Sequence, residues 1–537
     1  MKKLIAIVLA LVLALAVAAC APKNEAPVNE SFTENLQFAK DGKTAYCPVC
    51  KKAVEWTAYE GANDSAKNAL KDVEHAHLYL TKDLTYTKSA LVSNVPTCLH
   101  LNGFNITADG GATAIDAYKT MNIMGTGVVT GNGGLAFGSA ISTGILYPAD
   151  LNIYGGTFKK NASNKDAPVI MVGTKGGKVN IYGGVIDATG TITEMFTSAL
   201  HLLGSEDSPI DFTMNDGEIR GGTSGMKDLP GSGGAVYVGY AKFSMNGGTI
   251  SGGNALDGNG GNIFFSANAT DVLVNGTVTA GTALNGGNIY AKGINVEIGK
   301  NAVISKGVSD KAGSGYGGGN IWFGEGTLTS SGVITEGKCV NGNGAGGNIF
   351  FDKGEVTFIM NGGEISKGEL PETHDQNYGC NIRAYNLKRI EINDGLIYGG
   401  KGGHTADKRA QGRNLYCGAG SGVTPELVIN GGTIVGDIGI TAGVKVTLSG
   451  KPNIVASYKL ADGTEVKATY GGLNFPVAGT TDISGLQTDA KICVSGAAGT
   501  AISAANDKAE TLLPCFSAYA ADQKIQVVGK ILQIAAK

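Results

Sequence analysis

Four side chains near the start of the chain have the types and the spacing to hold a metal ion. Cys47 and Cys50 enclose two residues in Tyr46-Cys47-Pro48-Val49-Cys50-Lys51-Lys52, and His75 and His77 follow in Glu74-His75-Ala76-His77-Leu78. Two thiolates on one tight turn with two imidazoles make a four-donor set suited to zinc. Residues i and i+2 of a strand share a face, so His75 and His77 act together. Cys98 and His100 come next with the same separation, which leaves the second ligand pair open. A short disulfide between Cys47 and Cys50 is another reading outside the cytoplasm. A redox pair is a third, but no βαβ pattern surrounds the two cysteines. The zinc implied here is structural, and no open catalytic position is argued.

The Cys-Pro-Val-Cys-Lys turn resembles the knuckle of rubredoxin-like zinc sites. A different group lies far downstream, in two polar insertions. One runs from Pro371 to Tyr378 and contains His374 and Asp375; the other holds His404, Asp407, Lys408, Arg409 and Arg413. Imidazole, carboxylate and guanidinium together could transfer a proton and neutralise an acidic sugar. His374, Asp375, His404 and Arg413 are therefore the catalytic candidates, although a pair of solvated loops accounts for the same residues.

The elements that position these groups follow from a repeat. Asn262, Asn288, Asn320, Asn348, Asn381 and Asn414 each precede an apolar triplet such as Ile263-Phe264-Phe265 or Ile321-Trp322-Phe323. The steps between them are 26, 32, 28, 33 and 33 residues. Between the Asn motifs lies a second motif of alternating apolar residues, a Gly-rich corner and a β-branched residue. Phe243-Ser244-Met245-Asn246-Gly247-Gly248-Thr249-Ile250 is one copy. Alternation at period two means short strands with one buried face. Two motifs in fixed order at this period predict stacked coils, because one unit cannot bury its own apolar face. The fold expected is all-β: a parallel β-helix of about a dozen turns. The Asn column reads as an internal ladder in which each amide bonds its neighbours above and below.

Two positions after each Asn stand Phe264, Tyr290, Trp322, Phe350, Arg383 and Tyr416, and Tyr237 extends the series. This column admits an Arg, so it is placed on the outside of the coil. A row of exposed rings suits sugar stacking or a protein partner, and Arg383 suits a carboxylate or sulfate. The alternatives are rings stacked on one another for stability, or rings covered by another part of the chain.

At this point the chain resembles the pectin lyase-like right-handed parallel β-helix superfamily over about residues 78–450. It is most similar to the Gly-rich surface lipoproteins of gut-type Gram-positive bacteria. The resemblance implies a right hand for the coil, and a polysaccharide lyase or glycoside hydrolase as one function. However, the sequence holds no Asp-Asp pair and no Gly-His-Gly motif. Its acids are scattered, many of them at Gly corners such as Asp216, Asp257 and Asp394, where turn geometry explains them.

The remaining segments follow. Lys2-Lys3, an apolar run from Leu4 to Val17 and Val17-Ala18-Ala19-Cys20 read as a lipoprotein signal over residues 1–20, with Cys20 as the lipidation site. Residues 21–41 read as a flexible tether, 42–77 as an N-terminal cap, 78–450 as the coil and 451–537 as a C-terminal β cap or module. Cys493 and Cys515 could pair there. Cys339, Cys380 and Cys417 read as buried thiols. The 537 residues include 84 Gly, 17% charged residues and a net charge of −3, which disfavours nucleic acid as a partner. The sequence therefore points to a monomeric, lipid-anchored protein on the extracellular face of the membrane. It would bind a polysaccharide or a surface protein without catalysis. A carbohydrate-active enzyme and a structural spacer or adhesin are the alternatives.

Overall fold

The computed structural model of the chain describes residues 26–61, 74–86, 91–108, 113–131, 141–161, 167–194, 197–225, 232–310, 316–340, 346–371, 378–402, 414–420, 422–436, 438–468, 473–474 and 481–537. A right-handed parallel β-helix fills most of this. Its 43-stranded sheet is formed by strands that each pair in parallel with their counterpart one coil away. Every coil has three sides. A ladder face carries the strands that follow the Asn column, such as Ile263–Phe265, Ile289–Lys292 and Ile321–Gly324. A groove face follows, with Thr270–Val274, Val296–Ile298 and Gly326–Ser330. A hydroxyl face completes the coil, with Thr249–Ser251, Thr277–Thr279 and Val333–Thr335. After the hydroxyl face the chain makes a short excursion, and six of these pair into a separate parallel ledge from Ile192–Thr193 to Lys338–Cys339.

Side-chain alternation explains the core. Ile263 stacks on Ile289 and Ile289 on Ile321, and all three are buried. Phe212, Phe243, Phe265, Phe323, Phe351 and Phe358 are among the largest fully buried side chains. The corner between the groove and hydroxyl faces needs a left-handed residue. Gly248 and Gly363 supply it, with φ of 78° and 75°.

The Asn column is the internal ladder that the repeat predicts. Asn262 Nδ2 donates to Asn288 Oδ1 at 2.8 Å, and the chain of bonds continues through Asn320, Asn348, Asn381 and Asn414 at 2.7–2.8 Å. The second amide hydrogen of Asn288 goes to the Ser305 carbonyl, and its oxygen also accepts the Gly281 N–H. Each buried amide is thus satisfied on all sides. Gly281 is required at that point, because a Cβ there would lie 2.1 Å from the Gly287 carbonyl oxygen.

The coil is longer than the repeat alone suggests. Thr57–Tyr59, inside the expected cap, already pairs in parallel with Ala76–Leu80. At the other end Asn453–Val455, Lys491–Ser495 and Phe516–Ala518 continue the stack beyond residue 450. These strands lack the Gly-corner motif, so they carry no repeat signal. Two antiparallel hairpins, Ser457–Lys459 with Glu465–Lys467 and Gln523–Val528 with Ile531–Ala536, and a short helix, Ala509–Leu512, decorate this end. Cys493 and Cys515 are both free and buried, so they do not pair. Cys339, Cys380 and Cys417 are buried, as expected.

Candidate metal centre and lateral faces

The N-terminal segment lies against the outer face of the first coils. Its hairpin, Thr44–Cys47 with Lys52–Glu55, turns through the Cys47–Cys50 knuckle. Lys51 takes a left-handed conformation with φ of 54°, and the Cys50 N–H points to Cys47 Sγ at 3.5 Å. On the coil, His77 and Cys98 occupy the same register position of adjacent strands, Ala76–Leu80 and Thr97–His100. The donor atoms of Cys47, Cys50, His77 and Cys98 all lie within 4.8 Å of one another. Cys50 Sγ and His77 Nε2 are 3.2 Å apart. These four residues could hold a metal ion.

The set differs from the sequence expectation in one member. His75 does share a face with His77, and their rings stack at 4.6 Å. However, its Nε2 contacts Cys98 Sγ at 3.2 Å, and Cys98 takes its place in the cluster. The sequence left the choice between His75 and Cys98 open because strand register across the connection from Leu80 to Thr97 is not written in the spacing. His100 stands apart from the cluster. It is buried, its Nδ1 accepts the Asn102 N–H at 3.1 Å, and burial pulls its pKa down to about 4.

The three thiols are free, so the disulfide reading of Cys47 and Cys50 is not the state found. Hydrogen bonding from Cys98 pulls the Cys47 thiol down to about 4. Burial, then the Cys47 charge, pushes Cys50 up to about 11, and the bond to Cys47 raises Cys98. The cluster without metal therefore favours one thiolate held by two thiols. Trp56 packs edge-on to His77 with a centroid separation of 5.3 Å and donates to the Ala45 carbonyl at 3.2 Å. Ala45, Cys47, Trp56, Cys98 and Met124 form a small apolar cluster apart from the main core.

The aromatic column stands outside the coil in register: Tyr237, Phe264, Tyr290, Trp322, Phe350, Arg383 and Tyr416 follow one another on the ladder face. It is not an exposed row. Trp322, Phe350 and Tyr416 are only 5%, 4% and 7% exposed, and the others are half-buried. Trp322 and Phe350 form a second small core with Cys339, Leu370 and Cys380. The rings also stack face to face: Tyr290 lies 4.5 Å from Trp322 with 12° between planes, and Phe264 lies 5.1 Å from Tyr290. Neighbouring rings therefore occupy the faces a sugar would use. The expectation of an exposed row is corrected: the rings are half-buried or buried and stack on one another. The Arg383 guanidinium lies 5.2 Å over the Phe350 ring, and burial lowers its pKa.

A feature with no sequence signature lies on the groove face. An open groove of about 840 Å³ crosses three successive coils. Thr270, Asp271, Leu273, Asn295, Glu297 and Thr329 line it. Leu273, Glu297 and Thr329 form its outward column, one above the other. The middle strand, Val296–Ile298, has three residues where its neighbours have five. Outward residues on a strand are ordinary polar types, so only the stacking reveals the groove.

Cys20 and the catalytic candidates His374, Asp375, His404 and Arg413 lie outside the described residues. No protein family, no curated protein and no solved structure matches this chain.

Proposed function

We propose that the chain is a non-enzymatic surface protein that binds a polysaccharide lengthwise in the groove on its groove face. The observation that carries this is the groove itself. It spans three coils and sets hydroxyl, amide and carboxylate groups around one half-buried leucine. Such a mix can hydrogen-bond a sugar's hydroxyls while Leu273 meets its apolar ring face. Glu297 is exposed in the groove, and Asp271 lines it while paired with Lys242 at 3.2 Å, so a neutral or amino-sugar polymer fits better than a polyuronate. The resemblance to the pectin lyase-like superfamily agrees with a glycan as ligand. On the same reading Cys20 carries the lipid that holds a monomeric chain at the extracellular face of the membrane.

The metal of the Cys47, Cys50, His77 and Cys98 cluster is read as a structural zinc. Three thiols and one imidazole are donors zinc favours in closed sites. Tetrahedral zinc with sulfur at about 2.3 Å needs donors roughly 3.8 Å apart, and the donors of the cluster lie from 3.2 Å to within 4.8 Å of one another, so small adjustments in both directions would fit it. Bound zinc would hold the thiols as thiolates and link the N-terminal segment to the coil.

The test is a binding screen of neutral, amino-sugar and acidic polysaccharides, with each bound polymer then assayed for new reducing or unsaturated ends. Binding of neutral or amino-sugar polymers, weakened at least tenfold by Thr329→Arg and without new ends, is expected. New ends would make the chain an enzyme. Binding that ignores Thr329→Arg and Leu273→Glu would move the site off the groove.

A further inference from the structure

We infer that the metal centre is a clasp that pins the N-terminal segment, residues 26–55, onto the outer face of the first coils. Cys98 is its fourth ligand, and His75 is the positioning residue that holds the Cys98 sulfur. The inference rests on the zinc reading above and assigns its ligands and its purpose.

Two of the four ligands, Cys47 and Cys50, belong to a hairpin whose ladder bonds are only to itself among the described strands. The other two, His77 and Cys98, belong to successive coils. The hairpin runs through Trp56 directly into the first coil strand, Thr57–Tyr59, so a metal bound by all four adds a second tie at the hairpin's turn, far from that covalent link. The apolar cluster that hairpin and coil share is small and separate from the main core. Beyond it, the segment is held by the Leu36 N–H to Asn102 Oδ1 at 3.1 Å, the Gly125 N–H to the Phe32 carbonyl at 2.7 Å, and Phe32 stacked on Tyr154 at 4.3 Å.

The coil side of the clasp is built for a sulfur ligand. Cys98 ends an outer amide ladder: Asn180 donates to Asn152 and Asn152 to Asn122, each at 2.8 Å, and Asn122 Nδ2 points to Cys98 Sγ at 3.6 Å. His75 Nε2 meets the same sulfur at 3.2 Å from the other side. The Asn122 amide donates to this sulfur, and the His75 imidazole also donates to it when Nε2 carries the ring proton; outer contacts of this kind orient a ligand and tune its affinity. A thiolate-rich set selects a borderline-soft divalent ion and rejects calcium and magnesium.

The clasp also has something to cover. Cys98 and Met124 point outward from the coil yet are fully buried, and Tyr79 and Tyr154 pack beside them. Releasing the segment would open this apolar strip to solvent.

The test uses the full chain, reduced and held in detergent where its apolar N-terminus requires it, with Zn(II) for stoichiometry and Co(II) as the spectroscopic probe. One metal per chain with a tetrahedral, thiolate-rich Co(II) spectrum is expected. Cys98→Ser should remove one thiolate's share of the charge-transfer band. His75→Ala should keep the stoichiometry and the band but bind about 10–100-fold more weakly, with partial rescue by His75→Gln. Trypsin should cut at Lys51 or Lys52 only after chelation, while the coil stays intact. Normal binding in Cys98→Ser with loss in His75→Ala would overturn the ligand assignment. Cleavage that ignores the metal would overturn the clasp and leave the zinc reading standing. A wild-type chain that takes up neither ion would overturn both.

Discussion

His77 and Cys98 stand one above the other on successive coils, in register, and both face the Cys47–Cys50 turn. The pairing turns two isolated sequence features into one centre. The hairpin supplies a pre-shaped pair of thiols, and the coil supplies a rigid pair of donors at strand spacing. Chelation should therefore act locally. Hydrogen exchange at Ala45 and Trp56 is expected to lose protection when the metal is removed, while Ile263 and Ile289 keep theirs. Uniform loss across the coil would mean that the centre supports the whole fold.

The Asn ladder makes the opposite prediction, a cost spread through the coil. Asn320 accepts from Asn288 Nδ2 and the Gly307 N–H and donates to Asn348 Oδ1 and the Thr335 carbonyl. Asn320→Ala strands two buried donors at about 1–3 kcal/mol each, so a loss of about 4 kcal/mol is expected in denaturant titration. Asn246→Ala provides the control. It belongs to an exposed ladder, bonded to Asn215 at 3.0 Å, and should cost well under that. Equal costs would show that burial of the inner ladder contributes nothing.

Trp322 separates a stabilising stack from a binding row. It lies between Tyr290 and Phe350 in the covered core under the ledge. Trp322→Ala should cost about 3–5 kcal/mol, as large-to-small core changes do. Trp322→Phe should recover most of this, and neither change should alter binding in the groove at temperatures where the protein is folded. A Trp322→Ala protein with unchanged stability and lost glycan binding would restore the column as a ligand platform.

These cases show what the sequence could convey. Period and alternation specify the coil, and the Asn column was legible as an internal ladder because one polar residue returned at every turn in an apolar setting. The outward position of the aromatic column was legible from Arg383. Its burial was not, because the cover comes from Cys339, Leu370 and Cys380, which sit in excursions of irregular length. The knuckle was legible from Cys47 and Cys50. Its fourth ligand was not, since the choice of Cys98 over His75 depends on which residues fall in register across two coils. The groove was hidden for a related reason: its lining comes from three successive coils, and no residue type marks it.

A pH test addresses His201, which is buried on the ladder face with its ring 4.8 Å from Tyr237. Burial pulls its pKa from 6.5 down to about 4. The folded chain keeps this imidazole neutral while the unfolded chain takes up a proton below about pH 6.5. The stability it contributes is thus fully present above pH 6.5 and is lost as the pH falls towards 4. The loss amounts to roughly 3 kcal/mol over that window. Carboxylates titrate in the same range, so the quantity to measure is the difference between wild type and His201→Leu by chemical denaturation at pH 7 and pH 4. The variant's stability should fall less than that of the wild type, by roughly 3 kcal/mol. Parallel pH profiles would mean that His201 is protonated in the folded chain and that the coil opens to admit water beside Tyr237.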